Sequence, residues 1–191
     1  MTVGWLDVWR AVAGAVSVHI NAGRGHLLTE DAVRFALIAA LEEQGVQPGE
    51  IRIEVSEPRI EGKLDLVVGD PPSAVVELKF PRDPRASMPP DTMTMGEMLR
   101  DFYRLARLDA SERWVAQLVS DRLRRYLERR SDVSWTFERD ATMSVTAGAC
   151  ARLPQTARRH LPSWCDDMAF NATCMEAFRI EGFTLAVYRL A

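Results

Sequence analysis

The stretch Gly62-Lys63-Leu64-Asp65-Leu66-Val67-Val68 is followed, after Gly69-Asp70-Pro71-Pro72-Ser73, by Ala74-Val75-Val76-Glu77-Leu78-Lys79-Phe80. Two apolar runs on either side of a turn-forming loop read as a β-hairpin. Side chains two apart on a strand share a face, so Glu77 and Lys79 point one way and Leu78 the other. Symmetry about Pro71 sets Asp65 directly across from Glu77. Opposed Cβ atoms lie roughly 4.5–5.5 Å apart, and like charges so placed repel. A divalent cation, which prefers carboxylate oxygens, would remove that repulsion. A second reading stands beside this one. Leu64, Leu66, Val68, Val76, Leu78 and Phe80 form an apolar face, and a hairpin with one core face and one wet face needs no metal. In that reading Lys63 opposes Lys79, and Asp65 and Glu77 are their diagonal salt-bridge partners.

Upstream, Trp5, Val8, Trp9, Val12 and Val16 recur at helical spacing and predict an amphipathic first helix. Thr29 is the expected N-cap of a second helix running to Glu43, with Glu30 and Asp31 where the helix dipole favours acids. Gly45 and Pro48-Gly49 end it. Ile51, Ile53 and Val55 then alternate with Arg52 and Glu54, as in a half-buried strand. Downstream, the four prolines between Pro81 and Pro90 predict a loop. Gly96 to Leu108 is expected to be helical and Trp114 to Val119 a short strand. Ser120 or Asp121 caps a further helix to Arg130, with Leu123, Tyr126 and Leu127 inward and its arginines outward. Signals weaken after Ser131 until Phe183 to Leu190, which reads as a closing strand. This order predicts an α/β (α+β) domain with a mixed central β-sheet flanked by helices.

Asp65, a turn, and Glu77-Leu78-Lys79 ending an apolar strand resemble the catalytic motif of the PD-(D/E)xK nuclease superfamily. The surroundings are similar to it too: a helix opening with Glu30 before the hairpin, then helix, strand and helix after it. The resemblance covers roughly Thr29 to Arg130 and implies a restriction-endonuclease-like core within a single domain over residues 1–191. The helix in residues 1–20 and the extension in residues 131–191 fall outside it. Leu64 rather than proline precedes Asp65, a departure frequent in the superfamily. The resemblance implies that Asp65 and Glu77 hold Mg2+ (or Mn2+), helped by the backbone carbonyl of Leu78, with Glu30 as an outer ligand. Lys79 would orient or activate the attacking water and stabilise charge on the phosphate. The implied activity is hydrolysis of phosphodiester bonds in nucleic acid, with DNA the default substrate. Such nucleases serve in restriction, repair, recombination and anti-phage defence. Relatives of this size pair up, so a homodimer is expected.

The chain of 191 residues is 47% hydrophobic and 27% charged, with a net charge of −3, as in an ordinary globular protein. That balance is not the basic one of a nucleic-acid coat, so contact with nucleic acid needs a local patch. Arg122, Arg124, Arg125 and Arg129 supply the candidate; they read equally as a solvated helix face or as phosphate contacts. Three widely spaced cysteines fit no disulfide framework and no paired zinc pattern, so free thiols in a reducing cytoplasm are expected. No uncharged run is long enough to span a bilayer. Asp101 and Arg104, three apart on a helix, read as a surface ion pair. His19, His26 and His160 are scattered, and there is no Walker A loop, Gly-x-Gly-x-x-Gly motif or Gly-x-Ser-x-Gly elbow. The alternative to a nuclease is a non-catalytic binding or assembly module that holds a partner through the C-terminal region, where Trp135, Trp164 and Phe170 would suit a contact. A third option is hydrolysis of another phosphodiester, such as a cyclic nucleotide.

Overall fold

A computed structural model describes residues 3–80 and 91–191. The proline-rich loop expected at Pro81 to Pro90 lies outside them. Among the described residues, seven strands form one mixed sheet with helices on both faces. The strands are β1 (Ile51–Glu57), β2 (Gly62–Val68), β3 (Ala74–Lys79), β4 (Glu112–Ser120), β5 (Thr142–Val145), β6 (Phe170–Ile180) and β7 (Phe183–Leu190), in the order β1-β2-β3-β4-β7-β6-β5. β3 and β4 run parallel; every other neighbouring pair is antiparallel. A parallel pair needs a crossover, which here includes helix α3 (Asp91–Ala106).

One face is covered by α1 (Trp5–Asn21) and α2 (Glu30–Glu43). Their apolar stripes bury Trp9, Val12, Leu37 and Leu41 against Leu66, Val76, Leu78 and Trp114 of the sheet. Trp5 stacks on Trp114 with ring centroids 5.4 Å apart. Thr29 caps α2 as its position demands, its hydroxyl oxygen accepting from the Ala32 N–H at 3.2 Å. The other face is covered by α3, α4 (Asp121–Glu128), the one-turn α5 (Gln155–Arg158) and the turns around them. Met98, Leu99 and Phe102 of α3 are buried there with Val67, Val75 and Val115. Full burial of one such side chain stabilises by about 1.5–3 kcal/mol. α3 and α5 approach so closely at Gly96 that a Cβ there would sit 2.3 Å from the Ala157 carbonyl oxygen.

Covering both faces corrects the expectation of one wet face, because a strand paired in parallel with a crossover helix is buried on both sides. The C-terminal region supplies β5, β6 and β7, which complete the sheet. Trp135 and Phe170 are buried in the core rather than offered to a partner. Trp164 is half-buried beneath the Arg107 guanidinium, 4.6 Å from its ring centroid. No helix among the described residues is long and apolar enough to cross a membrane.

Candidate active site

The parallel strands β3 and β4 end side by side, with Lys79 opposite Gln117 and Glu77 opposite Val115. The hairpin register is the one read from symmetry about Pro71: Val68 pairs with Ala74, Val67 with Val75 and Leu66 with Val76. The ladder then opens. Asp65 has no strand partner on β3; instead its carboxylate accepts the Leu78 N–H at 2.7 Å. On the other side Glu54, the residue facing this gap from β1, takes a left-handed conformation with φ +50°, and the β1–β2 pairing skips it. A non-glycine residue there is strained. The kink turns Leu64 into the layer beneath α3 while Leu66 stays beneath α1 and α2, so the apolar face is not continuous through Asp65.

This opening gathers charge. Arg34 of α2, itself buried, lies 3.0 Å from Asp65 Oδ1, 3.0 Å from Glu54 Oε1 and 4.0 Å from Glu30, with Asp31 on its other nitrogen at 2.5 Å. Glu30 also accepts from the Phe80 N–H at 3.3 Å, and it lines a narrow crevice with Leu78, Lys79 and Phe80. Glu77 is 1% exposed and Asp101 2%. Arg104 lies between these two acids, 3.2 Å from Glu77 Oε1 and 3.7 Å from Asp101 Oδ1, and its guanidinium also donates to the Lys63 carbonyl. Asp101 and Arg104 are therefore not the surface pair that their spacing suggested. Asp101 sits one residue before Phe102 on the apolar stripe, and that placement was the available signal for its burial.

Burial raises Glu77, Asp101 and, more mildly, Glu30. Glu77 lies well above the usual carboxylate range, pushed there by desolvation and by the charges of Asp101 and Asp65. Asp101 is pushed up to about 7 by burial, against the pull of Lys79, Arg100 and Arg104. Glu30 is raised more mildly, mainly by desolvation, with Lys79 and Arg34 opposing. Lys79 is half-buried and makes no ion pair among the described residues.

The donor set suits a small hard cation. Glu77 Oε1 faces Arg104 but is not aligned with any hydrogen-bond donor, and Asp101 Oδ2 and Gln117 Oε1 are likewise buried without one. Orphaned buried acceptors carry a real cost. Glu30, Glu54, Asp65, Glu77 and Asp101 stand among Arg34, Lys63, Lys79, Arg100 and Arg104, so the charges nearly balance. No three of these carboxylates are closed to mutual ligand distance among the described residues. Cation binding would thus draw on Asp65, Glu77 and backbone oxygen rather than on a preformed acidic triad. Arg34, Glu54, Asp101, Arg104 and Gln117 were not singled out as site residues from sequence. Gln117 carried a plain signal, a polar residue inside the apolar run Trp114 to Val119.

The arginine helix divides in two. Arg122 forms a two-pronged pair with Asp91 at 2.7 and 2.9 Å. Arg124 is held by Glu128 at 2.6 Å and by Asp121 at 3.5 Å. Arg125 and Arg129 are exposed and make no ion pair among the described residues. With Arg122, Tyr126, Arg130 and Asp91 they line an open cleft of about 360 Å³. α4 leaves from the C-terminal end of β4, the end at which Lys79 also sits. Comparison with known protein families, with curated proteins and with solved structures gave no match.

Proposed function

We propose that this chain is a metal-dependent nuclease built on a PD-(D/E)xK, restriction-endonuclease-like core. One observation supports the reading: the β2–β3 ladder opens at Asp65, whose charge acts on buried Glu77, and a buried carboxylate oxygen of Glu77 lacks a donor, with Lys79 two residues on along β3. Asp65, Glu77 and the Leu78 carbonyl would hold Mg2+ or Mn2+, with Glu30 as outer ligand. When bound, that ion supplies Lewis-acid polarisation of the phosphoryl oxygen and lowers the pKa of coordinated water. Lys79, half-buried and without an ion pair among the described residues, orients the attacking water and offsets negative charge developing on the phosphate. Arg125 and Arg129 hold the phosphate backbone without reading sequence. DNA is the expected substrate, cut by a homodimer in the cytoplasm.

The test is cleavage of supercoiled plasmid and of linear single-stranded DNA and RNA, with magnesium, manganese or chelator. Metal-dependent cutting by wild type that disappears in Lys79→Ala is the expected result. Cutting unaffected by chelator, or equal cutting by the variant, would sink the catalytic assignment.

A second reading rests on a specific feature. Arg34 and Arg104 already neutralise Asp65 and Glu77, and Glu77 is almost fully covered. Such pairing suits a binding module that keeps the fold and binds nucleic acid or a protein without cutting. Retained DNA binding with no cleavage under any metal would favour it.

A further inference from the structure

On the side of α3 away from the acidic site, two turns face each other. Cys150 lies on the 3-10 turn Ala149–Arg152 and Cys165 on the turn Cys165–Asp167. The Gly148 N–H donates to the Asp166 carbonyl at 2.7 Å and ties the turns together. One donor atom each from Cys150, Cys165 and Asp166 lies within 4.8 Å of the other two. Both cysteines are buried, while Asp166 is exposed and opens the group to solvent. We propose that Cys150, Cys165 and Asp166 form a site for a thiophilic divalent cation of the zinc class, which pins these two turns beneath α3.

Two sulfurs and one carboxylate are a donor set for a borderline-soft ion, unlike the all-oxygen set at Asp65 and Glu77. A fourth ligand would come from solvent on the Asp166 side. Tyr103 provides the outer support such sites need: its hydroxyl is 3.0 Å from Cys150 Sγ. The Cys150 S–H donates to that oxygen in the metal-free chain, and a Cys150 thiolate would accept the phenol proton in return. Binding breaks two S–H bonds, forms two metal–sulfur bonds and releases the protons to solvent, with no change of oxidation state. Because binding releases protons, uptake of the cation is expected to strengthen as pH rises. Cys174 is the contrasting case. It is buried in β6, with its sulfur 3.5 Å from the Glu176 carbonyl, and belongs to no such group among the described residues. The site is independent of the nuclease reading.

The experiment uses fully reduced protein titrated with Zn2+, Cd2+ and Co2+, following thiolate-to-metal absorption, proton release and thiol labelling. About one equivalent should bind with release of about two protons. Cys150 and Cys165 should be protected from labelling while Cys174 stays as it was. Asp166→Asn, a surface change that leaves the core intact, should weaken binding by about tenfold or more. Cys150→Ser should abolish the absorption band, and Cys174→Ser should leave it unchanged. The proposal is overturned by the absence of a band in reduced wild type, by a Cys150–Cys165 disulfide forming in place of metal uptake, or by undiminished binding in Asp166→Asn.

Discussion

At the scale of single residues, Asp101 joins burial to pH. Its carboxyl moves from 3.8 to about 7 on folding, chiefly by desolvation. Between those values the folded chain holds a proton that the unfolded chain has released. The associated stability is complete below about pH 3.8 and is lost as pH rises through 7. Asp101→Asn keeps the shape and removes the titration. It should therefore melt higher than wild type at pH 8, by about 2–4 °C for each kcal/mol recovered, and match it only near or below about pH 3.8. Thermal melts across this range check the claim; a variant that loses stability equally at both pH values would contradict it. Residue by residue, Glu77 and Lys79 were legible because strand alternation suffices to place them, whereas Asp65 lies just past the end of the ladder that would have set it opposite Glu77. Arg34, Asp101 and Arg104 were not, because their roles depend on which face each helix turns to the sheet, and helical spacing alone leaves a charged residue on an apolar stripe ambiguous.

At the scale of elements, α3 is constrained from both sides. Gly96 lies where α5 crosses, and a methyl group added there meets the Ala157 carbonyl oxygen at 2.3 Å and its Cα at 2.8 Å. Backbone cannot rotate away as a side chain can. Gly96→Ala should cost about 1–3 kcal/mol despite the better helix propensity of alanine, read as a lower denaturation midpoint. A stabilised variant would show that the two helices do not meet as described. α4 carries a different prediction. Arg125 and Arg129 lack ion-pair partners among the described residues, whereas Arg124 is held by Glu128 and Asp121. Replacing Arg125 or Arg129 with Ala should reduce the salt dependence of DNA binding by about 0.9 in log–log slope for each phosphate no longer neutralised. Arg124→Ala should change that slope little, and fluorescence anisotropy at graded salt separates the cases. α1, α2, β1 to β4, α4 and β7 were readable because each shows clear periodicity or a capping residue. β6 was not: its inward positions are Phe170, Ala172 and Cys174, and two small side chains give little apolar alternation.

At the scale of the whole molecule, the sheet makes the C-terminal third inseparable from the site. β4 pairs with β7 along Trp114 to Ser120, and β6 and β5 follow outward. A chain ending after α4 would leave β4 as a long, apolar, unpaired edge, which is an aggregation surface. Residues 1–130 alone should fail to give a soluble monomer with a cooperative melt, as size-exclusion chromatography and calorimetry would show. A stable monomer from that fragment would mean that β5, β6 and β7 are dispensable to the core. From sequence, these strands belonged to a region of unclear role. Long-range pairing leaves no local trace when strands are short or small-residued.

The position of β7 also bears on how the protein is made. It lies between β4 and β6, joining the strands that precede it into one sheet, yet it is the last of the seven to leave the ribosome. Until it emerges, the growing polypeptide carries two unjoined groups of strands, each with an open flank. Closure waits until β7 has emerged, and through that interval the nascent chain depends on speed of synthesis or on chaperones to keep those flanks from neighbouring chains.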